Sequence, residues 1–138
     1  MEFLKGIYVL IIKLRSDVDI EIGALGLQHF VEGLYAYIGS AQINLEKRIC
    51  RHLQKEKRKF WHIDYLLNNS EAVVERVLFK KADKTEECFV AAKISRRGEA
   101  TIGFGCSDCT CKSHLFHIEN PDFLPEDMIE LRKCEVSS

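Results

Sequence analysis

The sequence predicts a single α/β (α+β) domain, a small central mixed, mainly antiparallel sheet flanked by helices. Three observations predict it. The chain has 138 residues, the size of one domain, since domains commonly run about 100 to 150 residues. Apolar, β-branched runs of strand length recur along it, separated by segments whose apolar residues return at a helical period. Hydrophobic residues make up 46% and charged residues 30%, with only two prolines and eight glycines, a balance that supports a packed core and argues against long disorder.

Ile7 to Ile12 is apolar throughout and reads as a strand buried on both faces, which puts Tyr8 inside the sheet or at its rim. Ser16-Asp17 makes a turn and Asp19 to Ile22 alternates acidic with apolar residues as a second strand. Gly23, Gly26 and Gly33 then punctuate an irregular excursion before a strand returns at Leu34 to Ile38. Asn44 is the N-cap of a helix running to about Lys57, in which Leu45, Ile49 and Leu53 at i, i+4 and i+8 form the stripe that docks on the sheet. On the same period Arg48, Arg51, His52, Lys55 and Lys59 gather on a neighbouring face. Trp61-His62-Ile63-Asp64 alternates, which on a strand puts His62 and Asp64 on one side. Val73 to Phe79 is a further strand. Asp83 or Thr85 caps a helix containing Glu86, Glu87, Cys88, Val90, Ala91 and Ile94, acidic in its first turn where the macrodipole favours it, and Ser95-Arg96-Arg97-Gly98 ends it. Residues 103–117 form a Gly- and Cys-rich loop running into a short strand, and Pro125 opens a short C-terminal helix.

Net charge is only -1, so any attraction for nucleic acid must be local. It is concentrated between Lys47 and Lys59, where Lys47, Arg48, Arg51, Lys55, Lys57, Arg58 and Lys59 have Glu56 as their one acidic neighbour. Lys57 to Lys59 taken singly read as a solvated helix face. The apolar run Ile7 to Ile12 falls far short of the roughly 20 residues that span a bilayer, and no cleavable signal precedes it, so the expectation is a cytoplasmic protein with no membrane partner. Six cysteines, Cys50, Cys88, Cys106, Cys109, Cys111 and Cys134, are then expected as reduced thiols or metal ligands rather than a disulfide set. Cys106-x2-Cys109-x-Cys111, with His114 and His117 nearby, could build a tetrahedral Zn²⁺ site, although a lone pair of this spacing is half of what zinc needs and partly buried thiols are the leading alternative.

Gly6-Ile7-Tyr8 on the first apolar run and Tyr37-Ile38-Gly39-Ser40-Ala41 on the second are each common alone. Together and in order, with Arg48 nine residues after Gly39 on a helix, they resemble the GIY-YIG endonuclease superfamily. The resemblance covers roughly Lys5 to Phe116, giving one domain over residues 1–138 with a core of about 5–117 and a C-terminal extension over 118–138. The runs Trp61-His62-Ile63-Asp64-Tyr65-Leu66-Leu67 and Gly103-Phe104-Gly105 through Ser113-His114-Leu115 are similar to an uncharacterised prokaryotic, largely archaeal branch, in which the domain is sometimes joined to a base-excision glycosylase. Here it is expected to stand alone. The chain departs from the compact family pattern in one respect: a long Gly-containing insertion separates the two tripeptides, where the family has roughly ten residues folded as a two-strand hairpin.

That resemblance implies a magnesium- or manganese-dependent DNA endonuclease, structure- or damage-directed and connected with repair, whose partners are DNA and a glycosylase or other repair protein. It places Tyr8 and Tyr37 near the attacking water, Arg48 on the phosphate and Glu87 on the metal, with Glu86 the neighbouring choice. Ser40, Arg51, His52, Lys55, His62 and His114 are the accompanying DNA-binding residues. Phosphodiester hydrolysis needs these types: a base or orienting group for water, a cation for the charge spreading over phosphate oxygens, and usually a divalent metal. A phenol titrates near about pH 10, so Tyr8 acts as a base only if its surroundings help it and otherwise orients the water. Two rival readings remain, a catalytically inactive nucleic-acid-binding module and a zinc-stabilised interaction protein.

Overall fold

In the computed structural model, which describes residues 5–41, 44–54, 61–105, 113–122, 124 and 128–131, the first apolar run extends into strand β1 (Gly6–Leu14). It occupies an interior position of the main sheet because nearly every side chain on it is buried. To one side lies β4 (Gly33–Ala41), paired in antiparallel register from Leu14↔Gly33 to Gly6↔Ala41. To the other lies β5 (Ala72–Lys81), also antiparallel, with a register shift between Ile11 and Ile12. The short strands β6 (Glu99–Ala100), β7 (Leu115–Ile118) and β8 (Ile129–Leu131) complete the order β6, β7, β4, β1, β5, β8 among the described residues. Every pairing described is antiparallel.

The sequence insertion is ordered rather than irregular. Val18–Glu21 (β2) and Leu27–Phe30 (β3) pair as a separate antiparallel ribbon, joined by a 3-10 turn at Gly23–Leu25 in which Gly23 and Gly26 take positive φ. The excursion read from its glycines is therefore a hairpin, and the glycines mark its turn. Val18 and Ile20 lean on the core and Phe30 is buried, its ring edge-on to Tyr35 and Phe104. The ribbon departs where β1 and β4 end at Leu14 and Gly33, six ladder positions from Tyr8, or about 20 Å at 3.3 Å per residue. It leaves the pairing of the two tripeptides intact.

Among the described residues, three helices cover the sheet. Helix α1 (Leu45–Leu53) begins where expected, with the Asn44 side chain accepting the Lys47 amide at 3.0 Å. It ends at Leu53 with Gln54 extended, short of Lys57. The alternation at Trp61 to Asp64 is not a strand: His62–Leu67 forms α2. Ile63, Leu66 and Leu67 at i, i+3 and i+4 are all buried, and the Asp64 carboxylate accepts the Trp61 amide at 2.9 Å, which fixes the helix start. Helix α3 (Thr85–Ser95) carries no side-chain cap, neither Asp83 nor Thr85 serving, and starts after Lys84. The C-terminal helix expected to open at Pro125, Glu126 and Asp127 lies outside the described residues, and Ile129–Leu131 beyond it pair with β5 as a strand.

Alternation along β1 divides the core. Tyr8, Leu10, Ile12 and Leu14 face α1 and α2 with Tyr35, Tyr37, Leu45, Ile49, Ile63 and Leu66. Ile7, Val9 and Ile11 face α3 with Ile38, Val90, Ala91 and Ile94. Among the described residues, no helix is long and apolar enough to cross a membrane.

Candidate active site

The two tripeptides face each other in the β1/β4 ladder, and Tyr8 is directly opposite Gly39. The neighbouring strands explain why each glycine is a glycine. A Cβ at Gly39 would stand 2.5 Å from the Tyr8 Cζ and hydroxyl oxygen, so the phenol occupies the space of the missing side chain. At Gly6 a Cβ would meet the Lys80 carbonyl of β5. The second tripeptide thus makes room for the tyrosine of the first.

Tyr8 is 1% exposed and its hydroxyl lies 2.7 Å from His52 Nε2. His52 is carried by the buried side of α1 beside Leu45 and Ile49. Tyr37 closes the group, its ring centroid 6.4 Å from that of Tyr8 and 6.2 Å from that of His52. Burial pushes the Tyr8 phenol well above its ordinary pKa. The Arg48 guanidinium, acting on it by charge and hydrogen bond, offsets part of that rise without reversing it. Burial raises Tyr37 as well, reinforced by Tyr8 and Glu87. At neutral pH both are phenols, not phenolates.

A second group lies on the other face of β4, where Ser40 alternates with Gly39. Glu87 falls on the buried stripe of α3 with Val90, Ala91 and Ile94, which turns its carboxylate inward. Its Oε1 is 3.4 Å from the Ser40 hydroxyl and its Oε2 is 3.4 Å from His114 Nδ1. Glu86 instead points outward and pairs with Lys80 at 3.3 Å. His114 is placed by ladder-like bonds, its carbonyl accepting from Ile38 and its amide donating to Phe104. Burial, followed by the charge of Lys84, lowers its pKa below the ordinary histidine value, so at neutral pH it is uncharged and meets Glu87 as a neutral imidazole.

Arg48 joins the two groups at the end of β4. Its Nη1 donates to the Ser40 carbonyl at 3.0 Å, and the field of Glu87 reaches both phenols. Tyr8, Tyr37, His52 and Arg48 from one face and Ser40, Glu87 and His114 from the other therefore converge around the end of β4. Arg51 is arranged differently: both arms of its fork meet the Asp64 carboxylate at 3.0 Å. His62 accepts the Gly105 amide on Nδ1 at 2.9 Å, with its ring against Phe104, and so anchors the glycine-rich loop. Lys55, Cys106, Cys109 and Cys111 lie outside the described residues. Among those described, no three His, Cys, Asp or Glu side chains stand together as a metal cage. Cys50 is disulfide-bonded, against the expectation of reduced thiols, while Cys88 is a thiol.

Sequence reasoning set Asp64 beside His62 on a strand and missed the contacts that Trp61 and Asp64 make. Trp61 lies with its ring centroid 4.4 Å from the Arg48 guanidinium carbon and 4.5 Å from that of Arg51. Asp64 is a buried carboxylate at the start of α2. The helical spacing of Ile63, Leu66 and Leu67 was the available signal for both, since it turns Asp64 inward.

The profile of one protein family, described as a domain of unknown function, DUF123, matches residues 7–135. No curated protein and no solved structure matches the chain.

Proposed function

The chain belongs to the DUF123 family, and we propose that it is a divalent-metal-dependent DNA endonuclease that hydrolyses phosphodiester bonds, with the described site as its catalytic centre. The observation that carries this reading is the Tyr8 hydroxyl held 2.7 Å from His52 Nε2 beside the Arg48 guanidinium. A phenol kept protonated by burial is a poor base by itself. With the His52 imidazole behind it, Tyr8 takes a proton from water as its own proton passes to Nε2, and no free phenolate is required. Arg48 presents a planar fork to two phosphate oxygens and stabilises the charge that gathers on them. Tyr37 walls the phenol and excludes bulk water.

Glu87 fits one ligand of Mg²⁺ or Mn²⁺. Such ions commonly take one or two carboxylates and keep several waters, which suits an inward carboxylate outside any three-residue cage. When bound, the ion would neutralise charge on the phosphate oxygens. Ser40 and His114 hold the carboxylate from either oxygen. A DNA substrate goes with a cytoplasmic setting, and a branched, nicked or damaged duplex is the class the reading favours.

The test is a cleavage assay in Mg²⁺ and in Mn²⁺ on flap, nicked, mismatched and plain duplex DNA. Wild type should cut at least one. Tyr8→Phe should lose about 10² to 10⁴-fold, the usual worth of general acid–base help, and Arg48→Ala about 10² to 10³-fold. Glu87→Gln should lose metal dependence. If wild type binds DNA but cuts nothing with either metal, the chain is a binding module and the reading is wrong.

A further inference from the structure

The catalytic scheme leaves Trp61, Arg51 and Asp64 without a part, yet they are joined to one another against Arg48. The Asp64 side chain is fully buried, takes both arms of Arg51 and also accepts the Trp61 amide. One carboxylate thus ties α1 to the N-cap residue of α2 and holds the backbone that carries the Trp61 ring. That ring is within 4.5 Å of both guanidinium carbons and 5.9 Å from the centroid of His52. A guanidinium stacks favourably on an indole face. It keeps its in-plane N–H donors directed outward from the stack, as bidentate capture of a phosphate requires.

We propose that Trp61, clamped by Asp64 and Arg51, is a positioning residue that pre-sets the plane of the Arg48 guanidinium for the scissile phosphate. Arg48 is a long side chain on a helix, and its hydrogen bonds to the Ser40 carbonyl and the Tyr8 hydroxyl hold the edge of the guanidinium. The indole supplies a face against which its plane rests. Arg51 thereby serves the site through Trp61 and Asp64 rather than through DNA. The phosphate part of this inference rests on the endonuclease reading, while the placing of Arg48 does not.

Two measurements separate them. In the full-length chain free of DNA and metal, the Arg48 Nε–Hε cross-peak, identified by its loss in Arg48→Lys, should be displaced by the Trp61 ring current. It should move to the ordinary arginine position in Trp61→Leu and stay partly displaced in Trp61→Phe. In single-turnover cleavage with Mn²⁺, Trp61→Leu should lower the rate about 10²-fold, the scale of a misplaced reacting group, with little change in the DNA concentration giving half-maximal rate. Trp61→Phe should restore the rate to within about threefold, as an aromatic wall remains. An Arg48 signal at the same position in wild type and Trp61→Leu overturns the proposal. So does a Trp61→Leu protein that folds and cuts as fast as Trp61→Phe. If the cross-peak behaves as stated while wild type cuts nothing, the endonuclease reading fails and the placing of Arg48 stands.

Discussion

Replacing Gly39 by alanine has a predicted sign opposite to the usual one. Gly39 does not take a positive φ, and exchanging such a glycine in a strand for alanine normally stabilises by about 0.4–1 kcal/mol through the unfolded chain. Here the three atoms nearest the new methyl all belong to Tyr8, at 2.5, 2.5 and 3.0 Å, far inside the 3.5–4.0 Å of a good carbon contact. The phenol is buried and bonded to His52, so it cannot swing away freely. Overpacking costs about 1–3 kcal/mol, and weakening the Tyr8–His52 bond adds about 0.5–1.5 kcal/mol. Set against the entropic gain, the net is a destabilisation of about 2 kcal/mol. At a urea slope of about 2 kcal/mol/M the midpoint should fall by about 1 M. In a Tyr8→Ala background those three contacts vanish, and the same change should cost under about 0.5 kcal/mol or become favourable, a coupling that a double-mutant cycle reads directly. A neutral or stabilising Gly39→Ala in the wild-type background would refute the facing of Tyr8 on Gly39.

The remaining predictions concern protons. Burial raises Tyr8 and Tyr37 and pushes Tyr35 up to about 12, so the folded state disfavours their ionisation. The stability they contribute is complete below the ordinary phenol value of about 10 and is lost as pH rises above it. Ultraviolet titration should accordingly show three of the four tyrosines ionising above pH 10 in the folded protein; two or more ionising at or below 10 would contradict it. His114 moves the other way. Its lowered pKa means the unfolded chain takes up the proton first, so its contribution is full above about 6.5 and falls with pH below it. An NMR titration should place its midpoint below 6.5, and His114→Gln should flatten part of the acid loss of stability.

The fold was legible wherever one period dominated a segment. β1 is apolar at every position from Ile7 to Ile12, and α1 carries Leu45 and Ile49 four apart behind a capping Asn44, so both stand where the pattern put them. The pattern misled where it was read over too few residues. Trp61 to Asp64 alternates for four positions, but Ile63, Leu66 and Leu67 set a helical period that wins because all three reach the core. The insertion hid a hairpin because its turn glycines outweighed the short alternation on either side. At the site, Glu87 was separable from Glu86 in principle, since only Glu87 shares the stripe of Val90, Ala91 and Ile94. The Tyr8–His52 contact spans 44 residues and the Arg51–Asp64 pair joins two elements whose packing no local period encodes. Such links appear only once the helices have docked.

The most direct measurement is single-turnover cleavage of duplex DNA in Mn²⁺ by wild type, Tyr8→Phe, His52→Gln and the double variant. If Tyr8 and His52 move one proton together, each single change removes most of the effect and the double variant is scarcely slower than either, the non-additivity of groups that act as a unit. Losses that multiply, or a Tyr8→Phe protein that cuts at the wild-type rate, would contradict the account.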